Sequence, residues 1–302
     1  MDWRKLLLEH TDFSIWNWEE GVRLNHFSNA NPHGTRITQL KFMNEDDVAL
    51  LMCGSGEGII RIYRNYESPK RLEAVSTWRA LTDLLPSNRS SGLVAEWQQG
   101  RGSLLVGGDV KVIRVWDALR EVCYMDIPAR SGSCVTSLTS DQVAGNVFVA
   151  GFGDGAVRVY DRRLKPRDAM VKVWKEHKAW VTNVHMQRGG NRELISGCVA
   201  GDVRLWDIRR SSSIQCFDAN GSDRVQALTV HEHAPVFATS SSTHVTRVCN
   251  TQGVHLSTFR HHSRFLQQQK SLSTTAITFH PHRMILACSG ADHHVNLFAT
   301  QK

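Results

Sequence analysis

Apolar residues in this chain fall into short runs of four to six, rich in β-branched and aromatic side chains and divided by turn residues. Alternating or continuous apolar runs of that length predict β-strands; no 3.6-residue stripe recurs from segment to segment, which sets helical repeats aside. One phrase closes run after run. It reads Gly108-Asp109-Val110-Lys111-Val112-Ile113-Arg114-Val115-Trp116-Asp117, then Gly153-Asp154-Gly155-Ala156-Val157-Arg158-Val159-Tyr160-Asp161, then Gly201-Asp202-Val203-Arg204-Leu205-Trp206-Asp207. Weaker copies end at Trp16, Tyr63, Cys249 and Phe298, so seven equivalent positions (16, 63, 116, 160, 206, 249, 298) are spaced by 47, 53, 44, 46, 43 and 49 residues.

Those spacings bracket the period of about 40–45 residues of a WD-repeat propeller blade. The fifth unit shows the four strands a blade needs, at 181–186, 193–198, 203–206 and 213–217. The Gly-Asp and Asp-Gly pairs supply the positive-φ residues of tight hairpins. The expected fold is therefore all-β, a seven-bladed β-propeller of WD repeats filling residues 1–302. Two units are long. In 76–86, Trp78, Leu81 and Leu84/Leu85 line up at helical spacing before Pro86, which predicts one short helical insertion. The polar stretch 261–270 predicts a mobile loop. Before Trp16 only Lys5 to Leu8 reads as a strand, so the first blade is expected to lack its innermost strand, as in the C-terminal part of a longer scaffold protein.

Composition narrows the classes of function. No apolar run approaches the roughly 20 residues of a membrane-spanning helix, so no membrane insertion is expected. The N-terminus lacks a signal-peptide pattern, which with the odd count of seven cysteines and no Cys-x-x-Cys predicts a cytoplasmic protein with reduced thiols. Thirty-six basic against 29 acidic residues give a net charge of +7. Residues 158–178 hold eight Lys/Arg and three Asp/Glu, and Arg162, Arg163, Lys165 and Arg167 form their basic patch. Such a patch is either a solvated loop or a docking surface for an acidic peptide, nucleic acid or anionic lipid. It lacks interleaved aromatics for base stacking, which argues against nucleic acid.

Five longer phrases carry a specific resemblance. They are Asn31-Pro32 with Thr35-Arg36-Ile37-Thr38; Thr77-Trp78 through Asp83-Leu84-Leu85-Pro86; Asp126-Ile127-Pro128 with Ser133 to Leu138; Gly153-Asp154-Gly155 through Arg162-Arg163; and Glu176-His177 with Ala179-Trp180-Val181. From about Phe13 to the C-terminus the chain resembles the raptor family, the regulatory-associated proteins of the TOR kinase. That resemblance implies a non-catalytic scaffold in TOR complex one, acting in nutrient-responsive growth control. Its implied partners are the TOR kinase and other complex subunits or substrates, with recruitment to the lysosomal or vacuolar surface. A generic WD-repeat interaction module and a basic nucleic-acid-binding propeller are the alternatives.

Candidate chemistry is sparse. His231/His233 and His280/His282 fall at equivalent turns after first strands, where turn polarity explains them, so no metal is expected. His261-His262 and His293-His294 are the other pairs. No activated-nucleophile motif is present, so no enzyme, small-molecule substrate or cofactor is expected. His177, Ser196 and Trp206 resemble a hydrogen-bond network shared by many WD repeats, with Ala200 where its turn aspartate is expected. Cys53, Cys198 and Cys288 read as small buried hydrophobes of second strands.

An interaction site is expected where loops enter the first strands. The residue preceding each is Arg36, Ser91, Cys134, Trp180, Arg224 or Ser273. Arg36, Trp180 and Arg224 stand out because Arg and Trp are enriched among interface hot spots. Lys178 and the basic patch extend that rim toward an acidic partner. The competing reading has Trp180 covering the blade's end and the arginines paired to turn aspartates such as Asp154 or Asp202; burial distinguishes them.

Overall fold

Each recurring phrase builds the third strand of an antiparallel sheet. A computed structural model describes residues 4–9, 12–31, 35–44, 48–85, 92–187, 193–219, 221, 223–260, 274–290 and 294–299. Among them the first sheet is β1 (Arg4–Glu9), β2 (Asp12–Asn17) and β3 (Val22–Ser28). The second is β4 (Ile37–Met43), β5 (Leu50–Ser55), β6 (Ile59–Arg64) and β7 (Glu73–Arg79). The third is β8 (Leu93–Gln98), β9 (Ser103–Gly108), β10 (Val112–Asp117) and β11 (Val122–Pro128). The fourth is β12 (Val135–Ser140), β13 (Val147–Phe152), β14 (Val157–Asp161) and β15 (Met170–Trp174). The fifth is β16 (Val181–Met186), β17 (Glu193–Cys198), β18 (Asp202–Asp207) and β19 (Gln215–Asp218). The sixth is β20 (Val225–Val230), β21 (Val236–Ser241), β22 (Val245–Asn250) and β23 (His255–Arg260). The seventh is β24 (Thr274–Phe279), β25 (Ile285–Gly290) and β26 (Val295–Ala299).

The fold is an all-β WD-repeat propeller. The middle strands are buried on both faces, as in β13 and β14, whereas outer β11 and β23 alternate exposed and covered positions. The repeat position has a structural signature: a register shift immediately before Trp16, Tyr63, Trp116, Tyr160 and Cys249, where the third strand pairs with the fourth. In β2 the same shift identifies the first sheet's middle strand as a third-strand equivalent. On the other edge Tyr63, Trp116, Tyr160, Trp206, Cys249 and Phe298 oppose Leu51, Leu104, Phe148, Leu194, Phe237 and Leu286, all buried. A bulge followed by an anchored side chain increases the local twist in these five strands.

Two compact units divide the chain, one of 1–138 with 162–169, the other of 139–161 with 170–302. In the first, Met52, Ile60, Trp78, Leu104 and Trp116 form a core between the second and third sheets. In the second, Val149, Val159, Leu194, Trp174 and Trp206 pack together, the two indoles stacked at 4.8 Å between centroids. No helix among the described residues is long and apolar enough to cross a membrane.

The expected helix at 76–86 is not formed. Residues Glu73–Arg79 are the outer strand β7, with Trp78 opposite Ile60, and a single turn follows in which the Leu84 and Leu85 amides donate to Leu81 O. β6 offers β7 a full ladder of backbone partners, which outweighs the spacing of three leucines and a tryptophan. The described residues hold no α-helix, only 3-10 turns at Gln99–Arg101 and Pro166–Asp168. The insert 261–270, Ser91, Ser273, His261, His262 and His293 lie outside the described residues.

One glycine of the repeat phrase is irreplaceable on geometric grounds. Gly155 has φ +77°, and a Cβ there would lie 2.6 Å from His177 O and 3.0 Å from Ala179 O. Both neighbours are backbone, so nothing yields. Gly155→Ala is expected to cost about 2–4 kcal/mol in urea unfolding; a change under about 0.5 kcal/mol would mean that the loop relaxes freely.

Candidate functional site

Three rim residues share one local geometry. Arg36, Trp180 and Arg224 immediately precede the inner strands β4, β16 and β20. Their carbonyls accept the amides of Gly56 (2.9 Å), Val199 (2.9 Å) and Ser242 (3.0 Å), each the first residue after the second strand of its own sheet. Within the second unit the Val225 amide donates to Val199 O at 3.1 Å, so Trp180 and Arg224 belong to neighbouring, hydrogen-bonded positions of the fifth and sixth sheets.

Exposure separates the two readings of these residues. Trp180 is 54% exposed, and Arg36, Lys178 and Arg224 are exposed too. The turn aspartates are engaged elsewhere: Asp154 with Arg158 at 2.9 Å, Asp202 with His177 and Arg204. Arg36, Lys178 and Arg224 form no ion pair among the described residues. Cys134, the equivalent position before β12, is buried.

The basic segment divides by burial. Arg158 is buried, paired with Asp154 and placed over the Phe152 ring. Lys172 donates to the carbonyls of Ile208 and Arg210. Arg162, expected on the surface, is 9% exposed and donates to Gln98 Oε1 and Tyr124 Oη. Burial, assisted by the charge of Arg101, pushes its pKa down to about 10. Arg163, Lys165, Arg167, Lys175 and Lys178 remain exposed. Sequence charge counts all of these alike, because long basic side chains bury their stems and heads to degrees that only packing decides.

The network around His177 is complete, contrary to expectation. Trp206 Nε1 donates to Ser196 Oγ at 2.7 Å, Ser196 Oγ meets His177 Nε2 at 2.7 Å, and His177 Nδ1 meets Asp202 Oδ2 at 2.7 Å. Asp202, two residues after Ala200, supplies the missing carboxylate. With the carboxylate accepting, Nδ1–H donates, Nε2 accepts, and the serine hydroxyl relays between indole and imidazole. Cys198 Sγ and Arg204 Nε also donate to Asp202. Burial raises the Asp202 pKa, but the hydrogen bonds from His177, Cys198 and Arg204 hold it well below the carboxylate range. Burial beside that carboxylate pushes the Cys198 thiol up to about 11.

Ser196, His177 and Asp202 reproduce the order of a hydrolytic triad, yet Ser196 is wholly buried and its oxygen already accepts the indole N–H. His177, Cys198 and Asp202 are also close enough together to hold a metal ion. Both ring nitrogens and both carboxylate oxygens are occupied by hydrogen bonds, and the thiol is held in its protonated form. The arrangement is chemically a lock between loops.

A second lock escaped sequence reasoning. Tyr63 Oη donates to Asn29 Oδ1 at 2.8 Å, and Asn29 and Arg61 both donate to Asn31 Oδ1 at 2.7 Å. Its only sequence signal is the Asn-rich stretch at 25–31. The histidine turns match their expected role. His231 Nδ1 accepts the amides of His233 and Ala234, and His280 Nδ1 accepts those of His282 and Arg283. Burial lowers the His231 pKa and pushes that of His280 down to about 4, the latter helped by Arg283 and the neighbouring histidines.

Comparisons with known proteins follow this geometry. The family model "WD domain, G-beta repeat" matches residues 168–207. Over 289 residues the chain is 48% identical to the "Target of rapamycin complex 1 subunit mip1" of Schizosaccharomyces pombe, covering 95% of this chain and 22% of that protein. Over 321 residues it is 46% identical to the "Target of rapamycin complex 1 subunit KOG1" of Saccharomyces cerevisiae, covering 96% and 20%. The chain thus spans about a fifth of the length of these relatives. The crystal structure of Chaetomium thermophilum Raptor matches with a TM-score of 0.92 and 46% identity, over 100% of this chain and 27% of that one.

Proposed function

By its 46% identity to a Raptor over its whole length this chain belongs to the raptor family, and from that premise we propose that it is a non-catalytic scaffold module of a TOR complex 1 assembly. The observation that carries this reading is the identity of 48% and 46% to two proteins named as subunits of that complex, maintained over nearly the whole chain. In this reading the seven sheets are seven blades of one ring. The module's partners are the TOR kinase, other subunits of the complex or its substrates, and it works in the cytoplasm with recruitment to the lysosomal or vacuolar surface.

We further place partner capture at the rim before the inner strands. Trp180 offers a half-exposed indole, flanked in sequence by Lys178 and in hydrogen-bonding order by Arg224. Arg36 holds the same repeat position in the second sheet. An exposed tryptophan beside uncommitted cations suits an acidic segment with an apolar residue, because the indole loses little entropy on binding and the cations need no desolvation of a prior ion pair.

The test is affinity capture with mass spectrometry, using the full-length protein with and without Arg36→Glu and Arg224→Glu. The expected result is recovery of TOR-complex subunits by the unaltered protein and at least about tenfold less of one partner by the double variant, at an unchanged melting temperature. Unchanged capture by a folded variant moves the binding surface away from the rim. Absence of TOR-complex subunits in the unaltered capture overturns the scaffold assignment itself.

A further inference from the structure

The connection between β14 and β15 is anchored on the third sheet. Residues 162–169 group with the first unit, where the turn Pro166–Asp168 lies against β11. Two arginine contacts pin it. The buried Arg162 guanidinium donates to Gln98 Oε1 and Tyr124 Oη and sits 5.7 Å from the centre of the Tyr124 ring. From the other side Arg130 Nη2 donates to Arg167 O. Ala169 closes the segment, wholly buried. Such a strap, with a proline between its anchors, has little conformational entropy left to lose on binding.

What the strap presents is net positive, Lys165 and Arg167 outnumbering the one exposed carboxylate, Asp168, and partly apolar. Lys165 and Arg167 are exposed and form no ion pair among the described residues. Leu164 between the pins is 43% exposed, and on the adjoining β11 Val122 and Tyr124 are 53% and 46% exposed. The acids of that strand region are engaged, Asp126 with Arg114 and Glu121 with Ser76. β11 is the outer strand of its sheet, and no further strand pairs with it among the described residues.

We propose that the strap and β11 form a second docking surface, which takes an extended acidic protein segment carrying apolar residues at alternate positions. Lys165 and Arg167 meet its carboxylates, while Val122, Tyr124 and Leu164 receive its apolar side chains. A strand has that alternation built in, since successive side chains point to opposite faces, and charge complementarity fixes the sign of the partner. Arg162 is a positioning residue here: it holds the strap and touches no partner. The surface goes beyond the rim site and does not depend on the TOR reading.

The test uses the whole 302-residue chain and fluorescence anisotropy at about 0.1 M salt, where charges closer than about 10 Å still interact. The probe is a labelled peptide of alternating Asp and Leu, with an alternating Asn and Leu peptide and phosphatidylserine vesicles as comparisons. The acidic peptide is expected to bind and the Asn peptide to bind at least about tenfold more weakly, with a similar loss in Lys165→Glu/Arg167→Glu. Because the rim takes acidic segments too, the same measurements are made in the Arg36→Glu/Arg224→Glu background, where the tenfold loss in Lys165→Glu/Arg167→Glu should persist. If the charge-reversal pair melts early, Lys165→Gln/Arg167→Gln serves instead. Equal binding of both peptides, no binding of the acidic peptide, or binding indifferent to the Lys165 and Arg167 substitutions would overturn the proposal. So would vesicle binding lost in the same variants without peptide binding, which would make the surface a lipid site.

Discussion

Replacing Trp206 with alanine is expected to lower the unfolding free energy by about 3–5 kcal/mol, the range for deleting a fully buried aromatic side chain. Trp206 has no exposed surface, stacks on Trp174 and packs within the core of Val149, Val159 and Leu194. The deletion leaves a cavity against rigid strands and orphans the serine that relays to His177. Denaturant melts followed by circular dichroism measure the loss, and a cost under about 1 kcal/mol would show that the neighbouring blade surfaces collapse into the space. Trp206→Phe separates the two contributions: it keeps most of the packing and removes the N–H donor, for an expected cost of about 1–2 kcal/mol.

The second large effect is expected at Asp202. Asp202→Asn keeps shape but replaces a charged acceptor facing His177, Cys198 and Arg204 with an amide that must present N–H to at least one donor. A cost of about 2–3 kcal/mol at neutral pH follows, because hydrogen bonds to charged groups are the strong ones and an amide cannot satisfy three donors. The pH dependence gives an independent check. The folded-state pKa of Asp202 is depressed, so its contribution is fully present above the ordinary carboxylate value of 3.8 and is lost as pH falls through the folded value. The stability gap between the unaltered protein and Asp202→Asn should be constant from pH 7 to about 5 and narrow below about 3.8. A gap of the same size at pH 3 as at pH 7 would show that the carboxylate charge is not its source.

Asp202 also shows how the network tolerates a sequence that departs from its usual pattern. A turn aspartate at residue 200 would reach His177 from the hairpin, but Ala200 stands there and the first residue of β18 reaches the same nitrogen instead. What the lock requires is a carboxylate oxygen at about 2.7 Å from Nδ1, and two nearby backbone positions are able to supply it. The substitution brings Cys198 and Arg204 into the same cluster, which explains why Arg204 is turned toward Asp202 and Glu176 and is unavailable to the surface.

Sequence alone determined that this protein is an all-β array of WD-repeat sheets, because each sheet's structure is local and repeated. The third-strand phrase, its spacing of 43 to 53 residues and the alternation of apolar runs were enough to place the aromatic anchors, the buried cysteines of second strands and the residues preceding β4, β12, β16 and β20. Each of those depends on contacts within one hairpin or one sheet. Only the tertiary structure decided the rest. Residues 76–86 carry a helical spacing and a strand alternation at once, and the unpaired edge of β6 chose the strand. Of adjacent Arg162 and Arg163, one is inside and the other outside because Gln98 and Tyr124, distant in sequence, accept the first. Asp202 completes the His177 lock for the same reason: hydrogen-bond geometry reads positions in space, where a carboxylate two residues out of register still falls within reach.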